Sequence, residues 1–417
     1  MFNYPGIEKD ILDVASKVQN DLSDVFKSID DICEANQFKV LSAFRNNNVA
    51  EADFNQSSGY GYNELGREKL EAVYSQIFGT EDALVRPQIT CGTHALYLAL
   101  SAILLPGDEI LFATGKPYDS LEKSIGISPS PLSLAESGIT YNIINLLDDS
   151  SFDFDSVKNA ISPKTKIVYV QRSKGYVNRK SISISQMKEF FDFVRSISSD
   201  VILFVDNCYG EFVDYYEPTN VGADICVGSL IKNPGGSLAP CGGYIAGKSS
   251  LIERCAYRLT APGLGKEVGG SLGVLKSFYQ GLSIAPKVVS EALKNAHFAA
   301  ALFEHYGFNV SPKPLEKHSC IVEAIDLKDA DKLSAFCIAI QKASYVDSYV
   351  TPVAWDMPGY QDKVIMASGA FINGSSIELS ADGPLRAPFT VFYQGGVTFE
   401  HGKYAILNAL NDILKNN

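Results

Sequence analysis

The sequence predicts an α/β protein. A large domain is expected on a mostly parallel sheet flanked by helices, followed by a smaller C-terminal α/β domain. Three observations point there. Short apolar runs alternate with segments of helical period between residues 84 and 246. Turn formers such as Pro106-Gly107-Asp108 punctuate them. The 417 residues also exceed one core, since a single core stops growing at roughly 250–300 residues.

Ile7, Ile11, Val14, Val18 and Leu22 recur at helical spacing, and 25–44 continue the pattern. A polar, Gly/Tyr-rich stretch occupies 53–61. Residues 65–78 read as an amphipathic helix stopped at Gly79. A strand at Leu84-Val85 leads to the turn Cys91-Gly92-Thr93 and a helix from about His94. Strands are expected at 109–114, 139–144, 167–171, 201–206, 225–228 and 243–246. Strand, helix, strand at this spacing marks a parallel sheet covered by helices. In the final third, Asp382-Gly383-Pro384 and Pro388 read as turns, and 377–379 and 390–393 as short strands. The expected organisation is a helical N-terminal arm over 1–52, the large domain over 53–285 and the smaller domain over 286–417.

The net charge of −12 argues against nucleic acid or an anionic membrane surface as the main partner. The N-terminus lacks a basic segment followed by an apolar one, so no signal peptide is expected. The longest mainly apolar run, 95–105, is too short to span a bilayer. The eight cysteines are scattered without a CxxC pair and the five histidines do not cluster. That pattern predicts reduced thiols in a cytoplasmic protein and no metal site.

The chemistry concentrates around Lys232, in Gly228-Ser229-Leu230-Ile231-Lys232-Asn233-Pro234-Gly235-Gly236. Upstream, an apolar strand ends in Asp206. A lysine beside glycines and a serine, with an acid at a strand end, is what pyridoxal phosphate (PLP) chemistry needs. The amine condenses with the cofactor aldehyde, and the carboxylate pairs with the protonated pyridine nitrogen and keeps the ring an electron sink. Ser229 is placed to reach the cofactor phosphate. Cys91-Gly92-Thr93-His94-Ala95 joins a strand end to a helix start, so the Gly92 and Thr93 amides are assigned to the same phosphate. Tyr118, after the next strand, offers a ring to stack on the pyridine face. All these positions follow strand ends, the edge at which open parallel sheets bind ligands. Arg386, between prolines and glycine, is the candidate for the substrate α-carboxylate, because a planar guanidinium suits bidentate recognition.

On Gly59-Tyr60-Gly61-Tyr62-Asn63, Gly66-Arg67, Arg86-Pro87-Gln88, Gly92-Thr93-His94-Ala95, 206–212, 232–236 and 261–265, the chain resembles the fold-type I PLP-dependent enzymes of the aspartate aminotransferase superfamily. More narrowly, it resembles the methionine gamma-lyase-like family of carbon–sulfur lyases associated with aluminium resistance. The resemblance implies that Lys232 holds PLP and moves the Cα proton, with Asp206 on the ring nitrogen. It implies Gly92, Thr93 and Ser229 on the phosphate, His94 as a further cofactor contact, and Tyr118 on the ring and near the sulfur leaving group. In related lyases a tyrosine and an arginine from a neighbouring subunit complete the phosphate site. Tyr60 or Tyr62 occupies that region here, with Arg67 as a stand-in, although the Tyr-x-Arg pattern itself is not present.

The expected activity is therefore thiol elimination from an amino acid such as cystathionine, cystine or methionine, by a homodimer or homotetramer whose N-terminal arm clasps the partner. The rival expectations are an aminotransferase, which would use the same lysine and acid, and a PLP-fold protein whose role is binding or metal tolerance.

Overall fold

A computed structural model describes residues 4–415 except 5, 178, 358, 359 and 361. Two helices open the chain, α1 (Lys9–Asp21) and α2 (Ser23–Asn46). α1 buries Ile11, Ala15 and Val18 in a core shared with Phe298 and with Ile406 and Leu410 near the C-terminus. α2 buries Ile29, Val40 and Ala43 in the core of the first sheet. The arm thus packs much of its apolar surface on its own chain, while Phe38 and Leu41 of α2 stay exposed. α3 (Leu65–Phe78) stops at Gly79, whose φ of 63° is the left-handed cap that glycine adopts without cost.

The first layered unit then runs β1 (Asp82–Arg86), α4 (Gly92–Ile103), β2 (Glu109–Phe112), α5 (Asp119–Ile125), β3 (Thr140–Ile143), α6 (Phe154–Ala160), β4 (Thr165–Gln171), α7 (Ile184–Ile197), β5 (Ile202–Asp206), β6 (Ile225–Ser229), β7 (Gly243–Gly247) and α8 (Ser249–Leu259). The seven strands lie in the order β1-β7-β6-β5-β4-β2-β3. β3, β2, β4, β5 and β6 are mutually parallel, and β7 is antiparallel to both β6 and β1. Helices cover both faces, so strands such as β4 read as unbroken apolar runs: Ile167, Val168, Tyr169 and Val170 are all fully buried.

α9 (Leu275–His305) leads to the second unit: β8 (Asn309–Ser311), β9 (Glu323–Asp326), α10 (Ala330–Ala343), β10 (Val364–Ala367), β11 (Ser380–Pro384), β12 (Thr390–Gln394) and α11 (Phe399–Lys415). Its five strands form an antiparallel sheet in the order β10-β11-β12-β9-β8.

Three expectations change here. The boundary expected at 285/286 falls inside α9, which carries Pro286 within it and contributes to both cores. Asp382-Gly383-Pro384 is not a turn but part of β11, paired with both β10 and β12. Gly383 is needed because a Cβ there would come within 2.7 Å of Leu333 of α10, and Pro384 closes the strand where a missing N–H is tolerated. Residues 377–379 form the turn before β11 rather than a strand.

Candidate active site

A cavity of about 290 Å³ opens between the C-terminal edge of the parallel strands and the second sheet. Cys91, Gly92 and Thr93 reach it from the α4 N-terminus, Tyr118 and Ser120 from the segment after β2, and Asp206, Cys208 and Tyr209 from the end of β5. Ser229 and Lys232 reach it from the end of β6. Met366, Ser380 and Asp382 close it from β10 and β11.

The turn that carries Lys232 is set by close backbone packing. A Cβ on Gly281 of α9 would sit 2.1 Å from the Gly235 carbonyl oxygen, and one on Gly236 2.2 Å from that of Gly281. Only glycines allow this approach, which presses the turn onto α9. The Lys232 Nζ lies 4.0 Å from the centroid of the Tyr209 ring. Tyr209 holds a φ of 70° to present that ring, a left-handed conformation that a non-glycine residue adopts at a cost of about 1–3 kcal/mol. Burial alone would lower the lysine pKa. The acidic groups around it, Cys208, Tyr209, Asp206 and Glu211, outweigh burial and hold the ammonium above its ordinary value.

Asp206 is buried and accepts two hydrogen bonds, from the Cys208 amide (3.1 Å) to Oδ1 and from the Tyr169 hydroxyl (3.3 Å) to Oδ2. Burial raises its carboxyl above the usual range, and Lys232 opposes that rise.

At the start of α4 the first-turn N–H groups lack helical partners and carry the positive end of the dipole. Cys91 caps this end, its sulfur accepting from the His94 amide. The Thr93 and Ser120 hydroxyls share a hydrogen bond of 2.6 Å. Beside them the Ser229 Oγ is buried and has no hydrogen-bond partner among the described residues. An orphaned buried hydroxyl costs about 1–3 kcal/mol, so this one is held ready for an acceptor. A Cβ on Gly92 would lie 3.4 Å from the Ser229 Cβ and 3.6 Å from the Cys208 sulfur; glycine keeps the space between them open. An anion cradle, a buried amine and a buried acid in one cavity fit a phosphorylated aldehyde with a basic ring nitrogen, which is PLP.

Tyr118, Asp206, Gly92, Thr93, Ser229 and Lys232 are therefore brought together as expected from the sequence. Five other residues are not. His94 turns its Nδ1 back to the Thr90 amide at 3.1 Å. Tyr60 and Tyr62 are exposed, with ring centroids 5.4 Å apart. Arg67 is buried as a clamp, donating to the carbonyls of Gly61 (2.8 Å) and Gly269 (3.0 Å). Arg386 does not line the cavity: Asp362 holds it at 2.9 Å and the Tyr176 carbonyl at 3.1 Å. The expectation that it faces the substrate is corrected by these in-chain partners.

Sequence reasoning missed Tyr209, Tyr360 and Asp382. Tyr360 bonds the Tyr118 hydroxyl at 2.8 Å. Asp382 is buried on β11, and burial pushes its carboxyl up to about 6. Tyr209 stands three residues after the strand-end acid, a position that could have been read; the other two come from a distant part of the chain.

The family model for methionine gamma-lyase matches residues 11–414. Protein YnbB of Bacillus subtilis (strain 168) is 49% identical over 403 residues, 96% of each chain. The crystal structure of a carbon–sulfur lyase involved in aluminum resistance from Clostridium novyi NT superposes with a TM-score of 0.94 at 47% identity, covering 97% of this chain and 96% of that one. A solved relative from Clostridium acetobutylicum gives a TM-score of 0.95 at 46% identity, with the same coverage. The PLP-dependent protein YhfS of Escherichia coli shares the fold alone, with a TM-score of 0.62 at 15% identity, over 93% of this chain and 97% of that one. With nearly its whole length matched in sequence and in structure, the chain belongs to the methionine gamma-lyase family.

Proposed function

We propose that this protein is a PLP-dependent carbon–sulfur lyase that eliminates a thiol from a sulfur-containing amino acid. One observation carries the reading: the buried Lys232 amine, the buried Asp206 carboxylate and the unpartnered Ser229 hydroxyl beside the α4 N-terminus converge in one cavity. Lys232 would attach the cofactor, Asp206 would face its ring nitrogen, and Gly92, Thr93 and Ser229 would hold its phosphate. When bound, PLP supplies an aldehyde that captures the substrate amine and a ring that takes up the electron pair left at Cα. The name of the Clostridium novyi relative supports the same reading.

The chain's own groups account for the proton movements. Lys232, displaced by the substrate amine, takes the Cα proton. Tyr118 is fixed by Tyr360, and burial holds its phenol well above the ordinary value, so it stands as a neutral O–H donor toward the departing sulfur. In the β form the Cβ–S bond breaks with its electron pair on sulfur. The amino acid and one water yield a thiol, pyruvate and ammonium. The exposed Tyr60–Tyr62 pair supports a second copy of the chain covering that face.

Lys232→Ala tests the assignment. It should abolish thiol release together with the visible absorbance of bound cofactor; a variant with full turnover would remove Lys232 from the mechanism.

A further inference from the structure

We infer that Asp382 forms a subsite for a cationic group on the leaving portion of the substrate, so that preferred substrates are sulfur amino acids whose departing thiol bears an ammonium. The inference deepens the lyase reading and rests on it.

Asp382 lies on β11, opposite Met366 of β10 and Phe392 of β12, with 4% of its surface exposed, and it lines the same cavity as Lys232. Its donors are both neutral: the Ser380 hydroxyl to Oδ1 at 3.3 Å and the Gln394 amide to Oδ2 at 3.0 Å. No described ion pair includes it. The cation that acts on it is the Lys232 ammonium across the cavity, which the cofactor would take, and a buried carboxylate left without a cation is expensive.

The cavity offers no other employment for that charge. Among the described lining residues the charged side chains are Lys232, Asp206 and Asp382. Lys232 is taken by the cofactor and Asp206 by its ring nitrogen, which leaves Asp382 uncommitted. Ser376, Ser380 and the Tyr360 hydroxyl share its wall. A carboxylate with hydroxyl acceptors around it matches the three donors of an ammonium. A leaving group ending in a carboxylate would find no free cation among the described lining residues and would face Asp382 instead.

The cut itself is unchanged. The C–S bond breaks with its electron pair on sulfur, sulfur gains a proton, and the product is an aminothiol beside the 2-oxo acid and ammonium.

Two isosteric pairs test the subsite on the PLP-loaded protein. S-(2-aminoethyl)-L-cysteine and S-propyl-L-cysteine differ in a terminal ammonium against a methyl, and both can release a thiol. L-Lysine and L-2-aminoheptanoate repeat the contrast without a C–S bond, so their dissociation constants are measured by calorimetry free of turnover. The wild type should favour the cationic member of each pair by about tenfold or more, the range of a buried charge-assisted hydrogen bond. Asp382→Asn should erase that preference while still binding the neutral members. Equal binding of lysine and 2-aminoheptanoate by the wild type overturns the subsite without any variant having to fold. Thiol release from both thioethers at equal kcat/KM also overturns it, while leaving the lyase reading intact. A tenfold preference for lysine with no thiol released from either thioether upholds the subsite and removes the lyase reading.

Discussion

The Nζ of Lys232 sits 4.0 Å from the centroid of the Tyr209 ring, and Tyr209 occupies a left-handed backbone conformation to place it there. The ring face stabilises the buried ammonium of the cofactor-free protein, by about 2 kcal/mol where water is excluded. Tyr209→Leu should therefore destabilise that form by about 2–4 kcal/mol, cavity included. Tyr209→Phe keeps the ring and should lose only about 1 kcal/mol, for the hydrogen bond donated by Ser376. Urea unfolding of the two variants separates them; equal losses would show that the ring over the amine contributes nothing.

The Gly235–Gly281 contact makes a second prediction. Gly281→Ala places a Cβ 2.1 Å from the Gly235 carbonyl oxygen, and one side must move. The cost should be about 1–3 kcal/mol, and because the moving turn carries Lys232, kcat should fall with it. Thermal unfolding and steady-state kinetics on one preparation check both; unaltered values would mean α9 does not position the lysine.

Glu211 predicts a pH dependence of stability. It is fully buried, accepts from the Tyr244 hydroxyl at 2.9 Å, and burial pushes its carboxyl from 4.5 up to about 8. Between those values the folded chain holds a proton that the unfolded chain has released. The stabilisation is complete below pH 4.5, falls as pH rises, and levels off beyond about 8. Glu211→Gln stays neutral throughout, so its stability relative to wild type should be greater at pH 8 than at pH 5. Denaturant titrations at the two pH values decide it; a constant difference would place the Glu211 carboxyl in its ordinary range.

Arg386 is held outside the cavity by Asp362 and the Tyr176 carbonyl. Arg386→Ala should leave KM nearly unchanged. Loss of a bidentate substrate carboxylate contact would instead raise KM about tenfold or more, and that result would restore the arginine to the site.

The parallel half of the fold was legible because burial on both faces writes a strand as an apolar run, and strand ends gather on one edge. Lys232, Asp206, Ser229, Gly92, Thr93 and Tyr118 were found by that logic. The rest fails for identifiable reasons. Asp382-Gly383-Pro384 has turn chemistry, but its glycine answers to Leu333 packed across the strand, a tertiary fact. The boundary placed at 285/286 sits inside one long helix that serves both cores. Arg386 has the right chemistry, and its partner Asp362 is 24 positions away in the chain, where no spacing rule links them. Tyr360 meets Tyr118 across 242 positions.

The most direct measurement is the product balance of purified, PLP-loaded protein given cystathionine, cystine, methionine and homocysteine. A lyase should give a sulfur product, a 2-oxo acid and ammonia in equal amounts from at least one of them, with no added 2-oxo acid required. Intact sulfur side chains, with amino groups passing one for one to an added 2-oxo acid, would contradict the lyase reading and make the protein an aminotransferase.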